Sequence, residues 1–365
     1  MQSTVTALRS RVRSLGASAA ADGKNIVAFS GGVDSSLVAA LVHQVFPGSS
    51  QACVGVSSAL PTAQLDLARS VASHIGIPLT EVSTGEGSDP DYIANEGQSC
   101  FHCKTHLYSA LEAVAAQAGV ESSRGSNDAA ATAGRHAAAA AGIEAGRGGG
   151  GGRKVVLFNG TNKDDKRDTT RVGLKAAANF QVASPIDMLT KAEVRAVARE
   201  LGLPNWNHAA SPCLRSRLAF GVQATPERLV VIEKAEDAAR KRLHLGVSHN
   251  LRVRAMHGNK ALLEVDAGEV LDEALRSMEE LRSLILPLGF GEVDVRAFRS
   301  GAVSGGVTAA DSPPPVHHGA PMHRQDNLGG VLRVAGGDPA GVVDGVEVYR
   351  VEGTATVAGA ARPQE

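Results

Sequence analysis

The run Ser30-Gly31-Gly32-Val33-Asp34-Ser35-Ser36 is the first place in this chain where residue types and spacing could do chemistry. Two adjacent glycines permit positive φ and close backbone approach, and the serines add hydroxyl donors for phosphate oxygens. If a strand enters the run and a helix leaves it, the first free N–H groups of that helix and its dipole complete an anion site. Glycines alone would equally suit an ordinary turn with Asp34 as a helix cap, so the flanking elements decide. A second group is Cys100-x-x-Cys103, a spacing that serves metal or redox chemistry. A third is Cys213, followed closely by Arg215 and Arg217, which would hold a thiolate or sulfide in its charged form and meet phosphate oxygens bidentately. The Cys100/Cys103 pair also fits a redox disulfide, half a zinc site or two structural thiols. Cys53, inside an apolar run, reads as a small buried residue.

The elements around these residues follow from periodicity. Val5, Leu8, Val12 and Leu15 stand at helical spacing, and Asn25 to Phe29 is a short apolar run that leads into the glycines. Leu37 to Val45 is helical, which puts the Ser30–Ser36 run between a strand and a helix. The alternation repeats with an apolar run at Ala52 to Val56, a helix from Thr62 to His74, a strand near Leu79 to Val82 and a helix continuing past Cys103. Strands apolar on both faces belong to a parallel sheet covered by helices. Residues 121–152, mostly Ala, Gly and Ser, cannot bury enough surface to offset their ordering entropy and read as a disordered insertion. The fold resumes with a strand at Lys154 to Phe158 and helices at Thr170 to Ala178 and Thr190 to Leu201, the last opened by the capping box Thr190-Lys191-Ala192-Glu193.

Beyond Pro212 the pattern becomes α+β: a helix at Thr225 to Leu243, strands at Leu251 to Ala255 and Leu262 to Val265, a helix at Val270 to Leu284 and a strand at Glu292 to Ala297. The expected organisation is an N-terminal helix in 1–24, an α/β domain in 25–210, a small α+β domain in 211–300 and a low-complexity tail in 301–365, where His317 and His318 are solvated rather than ligands. Charges of 37 and 38 nearly cancel, which disfavours nucleic acid as a partner, and no apolar run is long enough to cross a membrane. No secretory signal stands at the N-terminus, so a cytoplasmic address is expected, with an organelle as the alternative because the first helix is Arg-containing and acid-free.

The Ser-Gly-Gly-Val-Asp-Ser-Ser string resembles the signature of the PP-loop ATP pyrophosphatases, of adenine nucleotide α hydrolase-like fold, and lacks the Gly-Lys-Ser/Thr end of a γ-phosphoryl-transfer loop. With Cys100-Phe101-His102-Cys103-Lys104, Asn159-Gly160-Thr161-Asn162-Lys163-Asp164-Asp165, Ser211-Pro212-Cys213-Leu214-Arg215-Ser216-Arg217, Leu251-Arg252-Val253-Arg254 and Phe298-Arg299-Ser300-Gly301, the chain resembles the LarE family of ATP-dependent sulfur transferases over roughly residues 5–300. The resemblance implies ATP and Mg²⁺, a small nucleotide substrate bearing a pyridinium dicarboxylate, an acyl-adenylate, pyrophosphate release, and a homo-oligomer. It places ATP on Ser30, Gly31, Gly32, Asp34, Ser35 and Ser36, with Asp164 and Asp165 holding Mg²⁺ or orienting ATP. Arg252 and Arg254, alternating along a strand, would clamp the substrate phosphate. For the sulfur source it implies either a sacrificial Cys213 or a [4Fe-4S] cluster on Cys100, Cys103 and Cys213, whose fourth iron is open for a sulfide. A tRNA thiolase of the same superfamily and a non-catalytic nucleotide- or cluster-binding protein are the alternatives.

Overall fold

The first helix, α1 (Gln2–Leu15), turns Val5, Leu8 and Val12 inward, as its spacing dictates. The chain then alternates β1 (Lys24–Ala28), α2 (Val33–Val45), β2 (Ser50–Val56), α3 (Thr62–Ile75) and β3 (Leu79–Ser83). A short helix α4 (Pro90–Ala94) and the long α5 (Ser99–Arg124) precede β4 (Val155–Phe158). These four strands are parallel, in the order β4-β1-β2-β3. The computed structural model describes residues 2–17, 23–124, 155–168, 171–210, 212–299, 339–343 and 346–350. The expected insertion lies outside the described residues from 125 onward, and α5 runs four residues into the segment assigned to it.

Strand alternation divides the apolar side chains between the two sheet faces. Val27, Ala52, Val54, Val156 and Phe158 pack with α1, α2 and α3, and Ile26, Cys53, Val82 and Leu157 pack with α5. Cys53 is fully buried, and burial pushes its thiol up to about 12, in keeping with an inert core residue. After β4 come α6 (Lys163–Arg167), α7 (Gly173–Asn179) and α8 (Lys191–Glu200). Thr190 caps α8 through the reciprocal box with Glu193.

The second sheet is built from α9 (Pro226–Arg242), β5 (Leu251–Met256), β6 (Lys260–Val265), α10 (Glu269–Arg276), α11 (Met278–Ile285) and β7 (Glu292–Ala297). β6 lies between β5, antiparallel to it, and β7, parallel to it. The continuous helix expected over Val270 to Leu284 is two helices. Buried Ser277 interrupts them, its hydroxyl donating to Glu273 Oε1 at 2.9 Å. A second difference concerns the C-terminal segment, read as a tail. Within it, β8 (Pro339–Val343) and β9 (Val346–Arg350) pair with each other, and β9 adds antiparallel to the β3 edge. Valines on either side of Asp344-Gly345 carry a hairpin signal that composition alone hides. His317 and His318 lie outside the described residues. Among the described residues no helix is long and apolar enough to cross a membrane.

Candidate active site

The glycine run takes the conformation that its neighbours require. Gly31 has φ 68°, and a Cβ there would stand 2.8 Å from Ala68 Cα on α3, so glycine is needed on both counts. Its carbonyl accepts from Asn205 Nδ2 at 2.7 Å, which also donates to Ser36 Oγ at 2.9 Å, and the Ser30 carbonyl accepts from Gln64 Nε2 at 2.6 Å. Ser35 Oγ donates to the Gly32 carbonyl at 3.0 Å and accepts from Ser30 N–H at 3.2 Å. The first backbone bond into α2 runs from Ser36 N–H to the Gly32 carbonyl at 2.9 Å, so Val33, Asp34 and Ser35 start the helix with no intrahelical acceptor for their N–H groups.

The turn after β4 is pressed against this mouth. A Cβ on Gly160 would sit 2.7 Å from Ser35 N, inside contact distance of backbone. Asn162 caps α6 and donates to Asp34 Oδ1 at 3.2 Å, while Lys191 at the start of α8 pairs with Asp34 Oδ2. Asp164 accepts from Lys191 N–H at 2.8 Å, and Asp165 closes the capping box and meets Arg171 at 3.0 Å. Burial holds the Asp165 carboxyl above its usual range, with Asp34 adding to the effect and Arg171 opposing it. Asp34, Asp164 and Asp165 are thus gathered with a lysine that sequence reasoning passed over, although Lys191 opens a capped helix beside them.

The cysteines meet at the other end of α5. Cys100 and Cys103 lie one turn apart on its first turns, and Cys213 immediately precedes a 3-10 turn at Leu214–Arg217. Arg215 Nη1 is 3.7 Å from Cys100 Sγ, and Cys213 feels the charge of Cys100, so the three thiols share one neighbourhood. Burial raises the Cys213 thiol despite Arg215 and Arg217, and raises Cys103 to about 12. The expectation that the arginines keep Cys213 ionised is therefore corrected: burial, with Cys100 adding to it, outweighs them. Arg217 serves differently from the expectation as well. Its guanidinium is buried against Glu236 at 2.8 Å and donates to the Pro212 and Cys213 carbonyls at 2.5 and 3.3 Å, which fixes the cysteine loop. Ser211 lies outside the described residues.

The Arg252 and Arg254 expectation divides in the same way. Arg254 is committed to buried Glu264 at 2.6 Å and to the Ser216 carbonyl at 2.8 Å, and Arg296 shares that Glu264 at 2.5 Å. Arg252 instead lies over the Phe298 ring, 4.4 Å from its centroid. Burial, with Arg217 and Arg254 adding to it, lowers the Arg252 guanidinium to about 10. Burial and the two neighbouring arginines outweigh Glu236 and Glu264 at Arg252, and of the two expected residues it is the one not committed to an ion pair among the described residues. Partners such as Glu236, Glu264 and Arg296 carry no local signal in the sequence. Near the thiols, His102 Nδ1 and His106 Nε2 stand 3.3 and 3.0 Å from Asp89 Oδ2, the cap of α4, as hydrogen-bonding residues. Among the described residues the group close enough for one shared ion is Asp89, Asp91 and His102, and it includes no cysteine.

A parallel sheet whose first strand runs through a glycine turn into a helix mouth ringed by Asp34, Lys191 and Asp165 defines an ATP-using enzyme of the PP-loop class. Residues 12–95 match the asparagine synthase family, which covers that loop. The chain is 31% identical over 284 residues to slr1717, an uncharacterized protein of Synechocystis, a match spanning 76% of this chain and 91% of the relative. It is 29% identical over 289 residues, 78% of this chain and 90% of the relative, to the pyridinium-3,5-bisthiocarboxylic acid mononucleotide synthase of Lactiplantibacillus plantarum. The chain belongs to the LarE-type family within the PP-loop superfamily.

Proposed function

We propose that this protein is an ATP-dependent sulfur transferase that adenylates a carboxylate of a pyridinium dicarboxylate mononucleotide, releases pyrophosphate, and converts the carboxylate to a thiocarboxylate. The observation that carries the reading is the gathering of Cys100, Cys103 and Cys213 at the start of α5, with Arg215 on Cys100, while Tyr108 of the same helix meets Asn159 in the turn that abuts the ATP loop. Residues 25–210 supply ATP activation and two of the three thiols, and 211–300 the third thiol and the substrate side. The substrate carboxylate attacks the α-phosphorus, pyrophosphate leaves, and a sulfur nucleophile then displaces AMP. Ser30, Gly31, Gly32, Ser35 and Ser36 form the phosphate cradle, Lys191 exchanges Asp34 for phosphate when ATP enters, and Asp34, Asp164 and Asp165 face the Mg²⁺. Arg252 takes the substrate phosphate.

Three thiols from two elements, set beside buried polar atoms that have no protein partner, suit a [4Fe-4S] cluster held by Cys100, Cys103 and Cys213. When bound, such a cluster supplies an iron with no protein ligand, to which a sulfide can attach. The test is anaerobic incubation with ATP, Mg²⁺ and the pyridinium dicarboxylate mononucleotide, with mass spectrometry of small molecules and protein. The expected products are AMP, pyrophosphate and a thiocarboxylate, with Cys213 intact. Loss of H₂S from Cys213 on turnover would assign the sulfur to that side chain, and ATP binding without pyrophosphate release would overturn the enzyme reading.

A further inference from the structure

Two polar atoms beside the thiols are buried with no hydrogen-bond partner: the Tyr92 hydroxyl and Glu86 Oε2. Both residues are 2% exposed, so water does not reach them from the surface. Neither is loosely placed. Ser57 Oγ donates to the other Glu86 oxygen at 2.7 Å, and Ser99 Oγ donates to the Tyr92 carbonyl at 3.0 Å, which ties Tyr92 to the first residue of α5. Glu86 acts electrostatically on both Tyr92 and Cys103, and Cys103 and Cys213 both act on Tyr92. Tyr92 packs in one cluster with Cys103 and Cys213, and Glu86 acts on both Tyr92 and Cys103, so phenol, carboxylate and thiols are neighbours.

Leaving such groups unpaired costs about 1–3 kcal/mol each, more for a charged one, so two of them among the same thiols call for an occupant that satisfies both. That occupant must accept a hydrogen bond from the phenol and offer a hydrogen to the carboxylate. Tyr92, Cys103, Cys213, Ile93 and Leu214 belong to one apolar cluster, a surrounding that favours a soft, polarisable atom over a hard oxyanion. We propose that Tyr92 and Glu86 form the hydrogen-bonding wall of a hydrosulfide site, the phenol donating to the sulfur and the carboxylate accepting its S–H. The sulfur is either free hydrosulfide or the same group on iron held by the cysteines. This inference rests on the reading of the thiols as the sulfur side of the reaction. Tyr92 and Glu86 act through the sulfur they orient and are positioning residues.

The test uses full-length protein purified anaerobically, equilibrated with sodium sulfide with or without ferrous iron, desalted, and assayed for retained sulfide and for Tm. Wild type is expected to retain sulfide, and retention without iron identifies the free ion as the source, while retention only with iron identifies the iron-borne group. Tyr92→Phe and Glu86→Gln should each weaken retention about tenfold, the loss of one hydrogen bond to a charged group. In sulfide-free protein Tyr92→Phe should leave Tm unchanged or raised, because the hydroxyl removed had no partner there. Wild-type retention in both variants overturns the proposal and leaves the thiols as the sulfur site. A lowered Tm in sulfide-free Tyr92→Phe with unchanged retention also overturns it, since that marks a bound water as the occupant. If wild type retains no sulfide in either arm, the sulfur reading of the thiols falls, and this inference with it.

Discussion

Arg217 and Arg252 have the same side chain, lie in the same cluster of cations and do opposite work. Arg217 is 3% exposed and ion-paired with Glu236, so Arg217→Met leaves a carboxylate with a depleted partner set inside the protein. Breaking a buried pair from one side costs about 3–5 kcal/mol, and urea denaturation should read a loss of that size. Arg252 has a ring beneath it, is desolvated by burial and takes part in no ion pair among the described residues, so its removal strands no charge. Arg252→Gln should therefore keep or raise Tm while the KM for the phosphorylated substrate rises about 10- to 100-fold, the value of charge-assisted hydrogen bonds to a phosphate. A KM unchanged for the phosphorylated substrate would remove Arg252 from the substrate site. The sequence marks both arginines as interesting and cannot separate them. What separates them is the placement of Glu236 on a later helix, which only the assembled fold brings into contact with Arg217.

At the scale of elements, legibility follows how local the cause is. The ATP loop is readable because an apolar strand, two glycines and a helical run lie within about 20 residues, and the α8 start is readable because a capping box spans four. The break at Ser277 is not readable, because the apolar period continues across it and the reason for the break is a buried hydroxyl meeting the Glu273 side chain. The β8–β9 hairpin was legible in the Asp344-Gly345 pair and was masked by the composition around it. Gly160 lies between these cases: its place after β4 is readable, and its need for a bare Cα is not. Because a Cβ there would meet Ser35 N at 2.7 Å and Asp34 C at 2.8 Å, Gly160→Ala must push the turn off the mouth of α2. Asn162 would then lose its bond to Asp34, and ATP affinity measured by calorimetry should fall about tenfold or more, with Tm lowered. Unchanged ATP affinity would show that the turn does not shape the nucleotide site.

For the molecule as a whole, the question is whether the parts that carry the two sheets move separately. Sequence composition divides them near residue 211, but packing joins them. Ala59 and Tyr92 from the first part are buried in the same core as Leu229, Val253 and Leu263 of the second. Asn95, in a left-handed turn with φ 57°, donates from Nδ2 to the Ala219 and Val222 carbonyls at 2.8 and 2.9 Å, and Leu214 N–H donates to the Ala59 carbonyl at 2.8 Å. α5 carries the link further: its first turns hold two cysteines, and its Tyr108 hydroxyl accepts from Asn159 Nδ2 at 3.3 Å, beside the turn that abuts Ser35. In the proposed reaction an acyl-adenylate formed at the ATP loop would meet sulfur at the thiols without exposure to water, and a shared core would keep that distance fixed. The described residues should accordingly unfold as one cooperative unit, with calorimetric and van't Hoff enthalpies equal in scanning calorimetry. Asn95→Ala removes two bonds at the seam and vacates a left-handed position that asparagine tolerates better than alanine, so it should lower Tm and split the single transition into two. Two transitions in the wild-type protein would mean that the halves are energetically independent, and that the distance between ATP and thiols is set by something other than this seam.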